Sequence, residues 1–270
     1  MMLISVIIST YNKPQFLNKV IEGLQFQSDQ NFEIVIADDG SDSSTRDLIK
    51  LWQERSIVPV THAWQEDLGF RVSESRNNAV RRSKGDYFVF IDGDCIPRHH
   101  FIAHHHQLAE KNYVVAGNRC LLSARLTKSI VENNLPINFS LFNLLRLRLS
   151  GDLNRLDALL TLPPTAKFRY RHPKKWQRLR GCNIGISRGD FEKVNGFDSS
   201  FVGWGFEDSD LAARLINAGV KIKNGTFSTA LLHLYHQESD ERREGHNWER
   251  FQHVLRSGET YPLKGLYPME

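Results

Sequence analysis

The chain has 270 residues, a net charge of +4, 40% hydrophobic and 24% charged residues, the balance of an ordinary globular protein able to bury one substantial core. No low-complexity tract, fixed-period repeat or apolar run of about 18 residues is visible, so neither a repeat array nor a spanning helix is expected. The three cysteines, Cys95, Cys120 and Cys182, match no zinc spacing and cannot all pair within the chain, which predicts reduced thiols and a cytoplasmic location.

The N-terminal residues are too short and uncharged a stretch for a signal peptide and run directly into a strand pattern. Leu3 to Ser9 is a continuous apolar run with β-branched residues, as in a central parallel strand. The loop Thr10-Tyr11-Asn12-Lys13 follows, and Pro14 is placed to open a helix whose apolar positions are Leu17, Val20, Ile21 and Leu24. Phe32 to Ala37 predicts a second strand, ending in Asp38-Asp39-Gly40-Ser41. Ser43 or Ser44 is expected to cap the next helix. Ile57 to Thr61 predicts a weaker third strand, Ser73 to Arg82 a helix, and Tyr87 to Ile91 a buried strand. Strands alternating with helices predict a parallel sheet with right-handed crossovers.

The second half is less regular. Leu135 to Leu149 predicts a core helix, with an amphipathic segment on a membrane surface as the alternative. Leu162 to Arg180 reads as a loop. Lys167 to Arg180 holds seven Lys or Arg and no acid, which suits an anionic lipid or a phosphorylated saccharide, or else forms a solvated loop. Nucleic acid is not expected as a partner, because no recognised binding signature is present. Cys182 to Ser187 predicts a strand, Asp208 to Ala218 a helix closed by Gly219, Leu231 to Tyr235 a late strand, and Asn247 to Leu255 a terminal helix.

The chemistry centres on Ile91-Asp92-Gly93-Asp94. Residues i and i+2 of an extended chain point the same way, and two like charges held together repel unless a cation lies between them. Asp92 and Asp94, at the C-terminal end of a strand, therefore predict a site for Mg²⁺ or Mn²⁺ and the phosphate it holds. An acidic turn is the plainer alternative for that tripeptide taken alone. Gly203-Trp204-Gly205 presents an indole suited to the apolar face of a sugar. Glu207 and Asp208 follow at a helix start, where one could act as a general base or merely as a cap; for Asp210 the capping role is expected. His233 and His236 at the end of the late strand are candidate nitrogen ligands. His104-His105-His106 reads as a polar helix face. Arg71 and Arg76 could contact a diphosphate or pair with Asp67 or Glu74.

Val6-Ile7-Ile8-Ser9-Thr10-Tyr11-Asn12, Ala37-Asp38-Asp39-Gly40-Ser41 and Ile91-Asp92-Gly93-Asp94 occur in an order and at spacings that resemble family 2 inverting glycosyltransferases of the GT-A fold. Arg180-Gly181-Cys182-Asn183-Ile184-Gly185-Ile186, Asn195-Gly196-Phe197-Asp198 and Gly203-Trp204-Gly205-Phe206-Glu207-Asp208 resemble the acceptor half of the branch related to β-1,4-galactosyltransferases and chondroitin-polymerase-type domains, as does His233-x-x-His236. The resemblance spans roughly residues 3 to 240. It implies one continuous α/β GT-A domain, with residues 1–120 as its nucleotide-sugar half and 121–270 as its acceptor and catalytic half. It further implies Thr10, Tyr11 and Asp39 at the nucleobase and ribose, Arg71 or Arg76 by the nucleotide, and Asp92, Gly93 and Asp94 as the Asp-x-Asp motif. On the same basis Asp94 and His236, with Asp92 and His233 as further candidates, hold Mn²⁺ or Mg²⁺. Trp204 and Glu207 face the acceptor and Asp208 is the catalytic base.

Phe206 stands where Gly or a polar residue is frequent, a departure that bears on the acceptor pocket. The expected partners are a UDP-sugar and a saccharide or glycolipid acceptor of bacterial surface polysaccharide or lipopolysaccharide synthesis, with peripheral membrane contact through residues 167–180. A non-catalytic glycan- or nucleotide-sugar-binding module is the alternative. A nucleotidyltransferase would need a Gly-rich, Lys-bearing loop after the first strand, and Ser9-Thr10-Tyr11-Asn12 is not one.

Overall fold

The computed structural model describes residues 2–135, 140–156, 159–237 and 244–268. Its first part alternates as the apolar pattern requires: β1 (Ile4–Thr10), α1 (Pro14–Gln25), β2 (Phe32–Asp38), α2 (Ser43–Arg55), β3 (Val60–Trp64), α3 (Val72–Arg82) and β4 (Tyr87–Asp92). There follow β5 (Cys95–Pro97), α4 (Phe101–Leu108), β6 (Tyr113–Ala116), β7 (Arg119–Leu121), α5 (Ala124–Glu132) and α6 (Leu141–Leu149). Two 3₁₀ turns, Lys167–Tyr170 and Trp176–Arg178, precede β8 (Asn183–Ser187), α7 (Arg188–Lys193), α8 (Glu207–Asn217), β9 (Lys221–Asn224), β10 (Leu231–His233) and α9 (Glu244–Ser257).

Seven strands form one sheet in the order β3-β2-β1-β4-β8-β6-β9, and β8 alone runs antiparallel to its neighbours. Both faces are buried, as a mostly parallel sheet demands. Alternate residues of a strand serve opposite faces. Ile4, Val6 and Ile8 of β1 join Val89 and Ile91 of β4 in the core under α1, α2 and α5. Ile7, Phe88 and Phe90 join Phe191, Phe197 and Leu211 in the core on the side of α3, α7 and α8. The chain grows from β1 towards β2 and β3, then returns to the other side of β1 for β4. That reversal opens a crevice at the carboxyl ends of β1 and β4, the usual ligand position in such sheets.

A second sheet of three short strands, in the order β5-β10-β7, lies past the end of β4. Its register sets His233 of β10 opposite Cys95 of β5. The Leu234 N–H donates to the Asp94 carbonyl at 2.9 Å, so the late strand is tied to the acidic motif.

Several expectations are corrected. The third strand begins at Val60, not Ile57, because the Ile57 N–H is held by Gln25 Oε1 and pairing with β2 starts at Ile34 with Val60. Asp42, rather than Ser43 or Ser44, caps α2, accepting from the N–H groups of Ser44 and Thr45. His104-His105-His106 is not a uniformly polar face: His105 is fully buried, four residues from Phe101, and meets its ring edge-on at 4.6 Å. Arg169 of the basic block is also buried, donating to the carbonyls of Leu162, Pro163, Asn224 and Thr226 and to Ser228 Oγ. That guanidinium braces the loop and is unavailable to an anionic partner. Helix α6 starts at Leu141; residues 136–139 of the expected helix lie outside the described residues.

Candidate active site

Asp92 closes β4 in register with Ser9 of β1, which brings the acidic motif beside the Thr10–Lys13 loop. The Gly93 N–H donates to the Ser9 carbonyl at 2.8 Å. A Cβ on Gly93 would lie 2.9 Å from that same carbonyl oxygen, so only glycine lets the two carboxylates flank so close a backbone approach.

The two carboxylates have different neighbours. Asp94 Oδ2 lies 2.9 Å from His236 Nε2, and its Oδ1 3.5 Å from His233 Nε2. Burial disfavours the Asp94 anion, but the His236 hydrogen bond, with the electrostatic influence of the two imidazoles, overcomes that and holds its pKa below the ordinary range. The Asp94 hydrogen bond outweighs burial at His236 and raises its pKa. Burial lowers that of His233 to about 4, keeping it neutral and able to ligate. The His236 Nδ1 is paired with the Gln237 carbonyl at 2.9 Å, an arrangement that presents Nε2 as the ligating nitrogen. One carboxylate and two imidazoles facing one another form a donor set that fits Mn²⁺ better than Mg²⁺. Cys95 Sγ is 3.4 Å from Asp94 Oδ1, and Asp94, Cys95 and His233 offer ligand atoms within 4.8 Å of one another. Burial, reinforced by Cys182, keeps the Cys95 thiol protonated.

Asp92 instead faces arginines. Arg76 is almost fully buried and serves three elements: its Nε donates to Ser9 Oγ at 3.0 Å, one terminal nitrogen lies 3.2 Å from Asp92 Oδ1, and the other 3.4 Å from Glu207 Oε1. Arg119 lies 3.9 Å from Asp92 Oδ2. Burial raises the Asp92 pKa despite these cations, with Asp94 adding to the rise.

Glu207 and Asp208 open α8 after an unusual turn. Gly203, Gly205 and Phe206 have φ of 80°, 115° and 70°. For Phe206 the left-handed backbone is a cost that its ring offsets by packing on α9, 5.0 Å from Trp248 and 5.6 Å from Phe251. Phe206 therefore turns towards α9. Asn247 Nδ2 donates to the carbonyls of Val202 and Gly205, and the Gly203 N–H to the Phe70 carbonyl, so the Gly-Trp-Gly loop is held at both ends. Trp204 is half exposed. Burial first, then Asp208, raises the Glu207 pKa to about 7, while Arg76 opposes the rise. Asp208 Oδ2 accepts the Gly181 N–H at 3.0 Å, and Ser209 Oγ donates to its Oδ1. Gly181 leads into β8, whose Asn183 pairs with Ile91; Asp208 is thereby anchored next to the end of β4. Asp210 is no cap. It is buried against Arg214, one turn on, at 2.7 Å.

The remaining expected residues line the same edge. Tyr11 donates its hydroxyl to Asp67 Oδ2 at 2.9 Å and is half exposed, and Thr10 is buried beside it. Asp39 accepts from the Arg71 N–H at 2.6 Å and from Gln65 Nε2 at 2.7 Å, and burial lifts its pKa against both bonds. The Arg71 guanidinium donates to the Glu66 carbonyl, not to Asp67 or Glu74; Glu74 pairs with Arg81. Sequence reasoning passed over Lys13, which acts electrostatically on Asp94 and His236, and Arg119. Lys13 was in view as a residue of the first loop. Nothing local marks Arg119, which arrives through pairing of β7 with β10.

Residues 5–148 match the glycosyl transferase family 2 model and residues 164–237 the model for the N-terminal domain of galactosyltransferase. A validoxylamine A glucosyltransferase of Streptomyces hygroscopicus subsp. limoneus is 28% identical over 232 residues, covering 81% of this chain and 49% of the relative. A chondroitin synthase of Escherichia coli is 23% identical over 248 residues, covering 87% of this chain and 34% of the relative. The chain thus spans about half or less of the length of these curated relatives. S. aureus TarS 1–349 in complex with UDP superposes with a TM-score of 0.64 at 14% identity, covering 95% of this chain and 65% of that one. The mannosyltransferase PcManGT of Pyrobaculum calidifontis, in complex with GDP-Man and Mn²⁺, gives 0.58 at 19% identity, covering 93% and 61%. These neighbours establish the GT-A fold expected from the motifs.

Proposed function

Because this chain belongs to glycosyl transferase family 2, we propose that its site moves a hexose or N-acetylhexosamine from a UDP-sugar to a hydroxyl of a saccharide or glycolipid acceptor, with inversion. The observation that carries this reading is the meeting of two clusters at one end of the sheet. Asp94 is joined to His233 and His236, and Arg76 bridges Asp92 to Glu207 beside Asp208. The relatives and neighbours support a nucleotide-sugar donor, and their names mention glucosyl transfer, chondroitin synthesis, UDP and GDP-Man.

In this reading residues 1–120 bind the donor and residues 121–270 supply the acceptor side. Thr10 and Tyr11 border the nucleobase. Asp39 keeps lone pairs beyond its bonds to Arg71 and Gln65 and accepts from the base or ribose. Asp94, His236 and His233, with Asp92 as a further candidate, would hold Mn²⁺, which would supply positive charge to the diphosphate leaving group. Lys13, Arg119 and Arg76 add fixed positive charge around the same phosphates. Trp204 supplies an apolar plate for the acceptor ring, and Glu207 hydrogen-bonds an acceptor hydroxyl. Asp208, held by the Gly181 N–H, takes the proton from the attacking hydroxyl. Holding donor and acceptor side by side removes much of the entropic barrier.

Bacterial surface polysaccharide or lipopolysaccharide synthesis is the pathway this chemistry suits, on the cytoplasmic face of the membrane. The exposed part of the 167–180 block provides charge for peripheral contact there. The test is release of UDP from a panel of UDP-sugars with Mn²⁺ and oligosaccharide or glycolipid acceptors. UDP release that depends on acceptor supports the reading, pyrophosphate release would indicate nucleotidyl transfer, and nucleotide binding without turnover of any donor would indicate a binding module.

A further inference from the structure

Helix α6 carries apolar residues on two sides. Leu144 and Leu147 are buried in the core with Leu126, Ile130 and Leu153. On the other side Leu141, Phe142, Leu145 and Leu149 are 64%, 80%, 44% and 87% exposed. At 3.6 residues per turn these four side chains project within an arc of about 100°, with Leu144 and Leu147 roughly opposite. Arg148 lies just beyond one edge of that arc and Arg146 just beyond the other, and α6 contains no acidic residue. Four large apolar side chains held outward on a nine-residue helix are a contiguous patch, not scattered surface residues.

We infer that this face of α6 is a membrane-docking surface whose occupant is a bilayer containing anionic lipid. Helices that lie in the headgroup plane combine an outward apolar stripe with basic residues at its borders. The Arg146 and Arg148 stems can follow the stripe while their guanidinium groups pair with lipid phosphate. The surroundings agree in sign: residues 119–180 contain 13 Lys or Arg against 3 Asp or Glu, and Arg169 is the member of the 167–180 block committed to an interior network. A second copy of the chain fits the face less well, since a two-fold contact through α6 would set the arginine-bordered stripe against itself.

The inner face of α6 is already committed: it closes a cavity of about 220 Å³ lined by Leu126, Leu144, Leu147 and Leu232 among others.

The experiment is flotation of the full chain, without nucleotide sugar, with phosphatidylcholine vesicles and with vesicles also containing phosphatidylglycerol. Wild type should float with the anionic vesicles and be released by salt. The bound fraction should fall more than tenfold in Phe142→Ser/Leu145→Ser/Leu149→Ser and in Arg146→Glu/Arg148→Glu, both of which change exposed side chains and should keep wild-type circular dichroism and UDP affinity. Absence of wild-type flotation, or undiminished flotation of both variants, overturns the proposal. So does a sedimentation-velocity dimer that the triple variant converts to monomer, since a second copy would then cover the face.

Discussion

Asp208 is the residue on which the chemistry depends, and its geometry makes it separable from donor binding. Its carboxylate is oriented by the Gly181 N–H and by Ser209, and no contact ties it to Asp94 or the two imidazoles. Asp208→Asn keeps the size and one acceptor oxygen but loses the ability to take a proton. It should lower kcat by about 10²–10⁴-fold while leaving Mn²⁺-dependent UDP affinity unchanged. Wild-type turnover in that variant would remove Asp208 as the base. Glu207 was legible as its partner, but its pKa of about 7 was not, because the largest cause is burial, which the fold alone sets, with neighbouring Asp208 adding to the rise and sequence-distant Arg76 opposing it. His105 shows the same limit. Its neighbours His104 and His106 gave a polar reading, while its burial follows from which side of an eight-residue helix meets the sheet.

Among the elements, α2 gives a sharp test of local structure. Asp42 Oδ1 accepts from the N–H groups of Ser44 and Thr45 and from Ser44 Oγ. Asp42→Ala should lower the urea midpoint of unfolding, and Ser43→Ala should leave it nearly unchanged. Equal losses would restore Ser43 to the cap. The first four strands and three helices were readable because their apolar periods and loop residues are local signals. The N-cap was misplaced by one or two residues because Asp42, Ser43 and Ser44 are all good caps, and backbone geometry chooses among them. β3 was placed three residues early because Ile57 is strand-like, whereas pairing with β2 decides the register. In the short sheet, β10 was legible as the late strand from Leu231, but β5 and β7 had almost no local signature, since three-residue strands are defined by their partners. The sheet nevertheless delivers His233 to Asp94 and Arg119 to Asp92.

At the scale of the whole molecule, folding brings titratable groups into the interior, and stability must follow pH accordingly. Burial lowers the His105 pKa to about 3 from its ordinary 6.5. The unfolded chain therefore binds one more proton than the folded chain between those values. Stability is fully present above about pH 6.5 and is lost as pH falls towards 3, by up to about 1.4 kcal/mol per pH unit. Glu207, raised to about 7, acts in the opposite sense over the upper part of that window. The clean comparison is thus wild type against His105→Gln, whose stability should fall less on acidification; parallel pH profiles would contradict the buried neutral imidazole. The global claim is that Asp94 from the turn after β4, His233 at the end of β10 and His236 just beyond it form one ion-dependent pocket for a nucleoside diphosphate. Calorimetric titration of UDP into wild type and Asp94→Ala, with Mn²⁺ and with chelator, tests it most directly. Wild type should bind UDP with Mn²⁺ and lose that affinity in chelator, and Asp94→Ala should lose more than about tenfold with the metal present, at least the effect expected of an outer-shell partner. Equal UDP affinity in all four titrations would contradict the account.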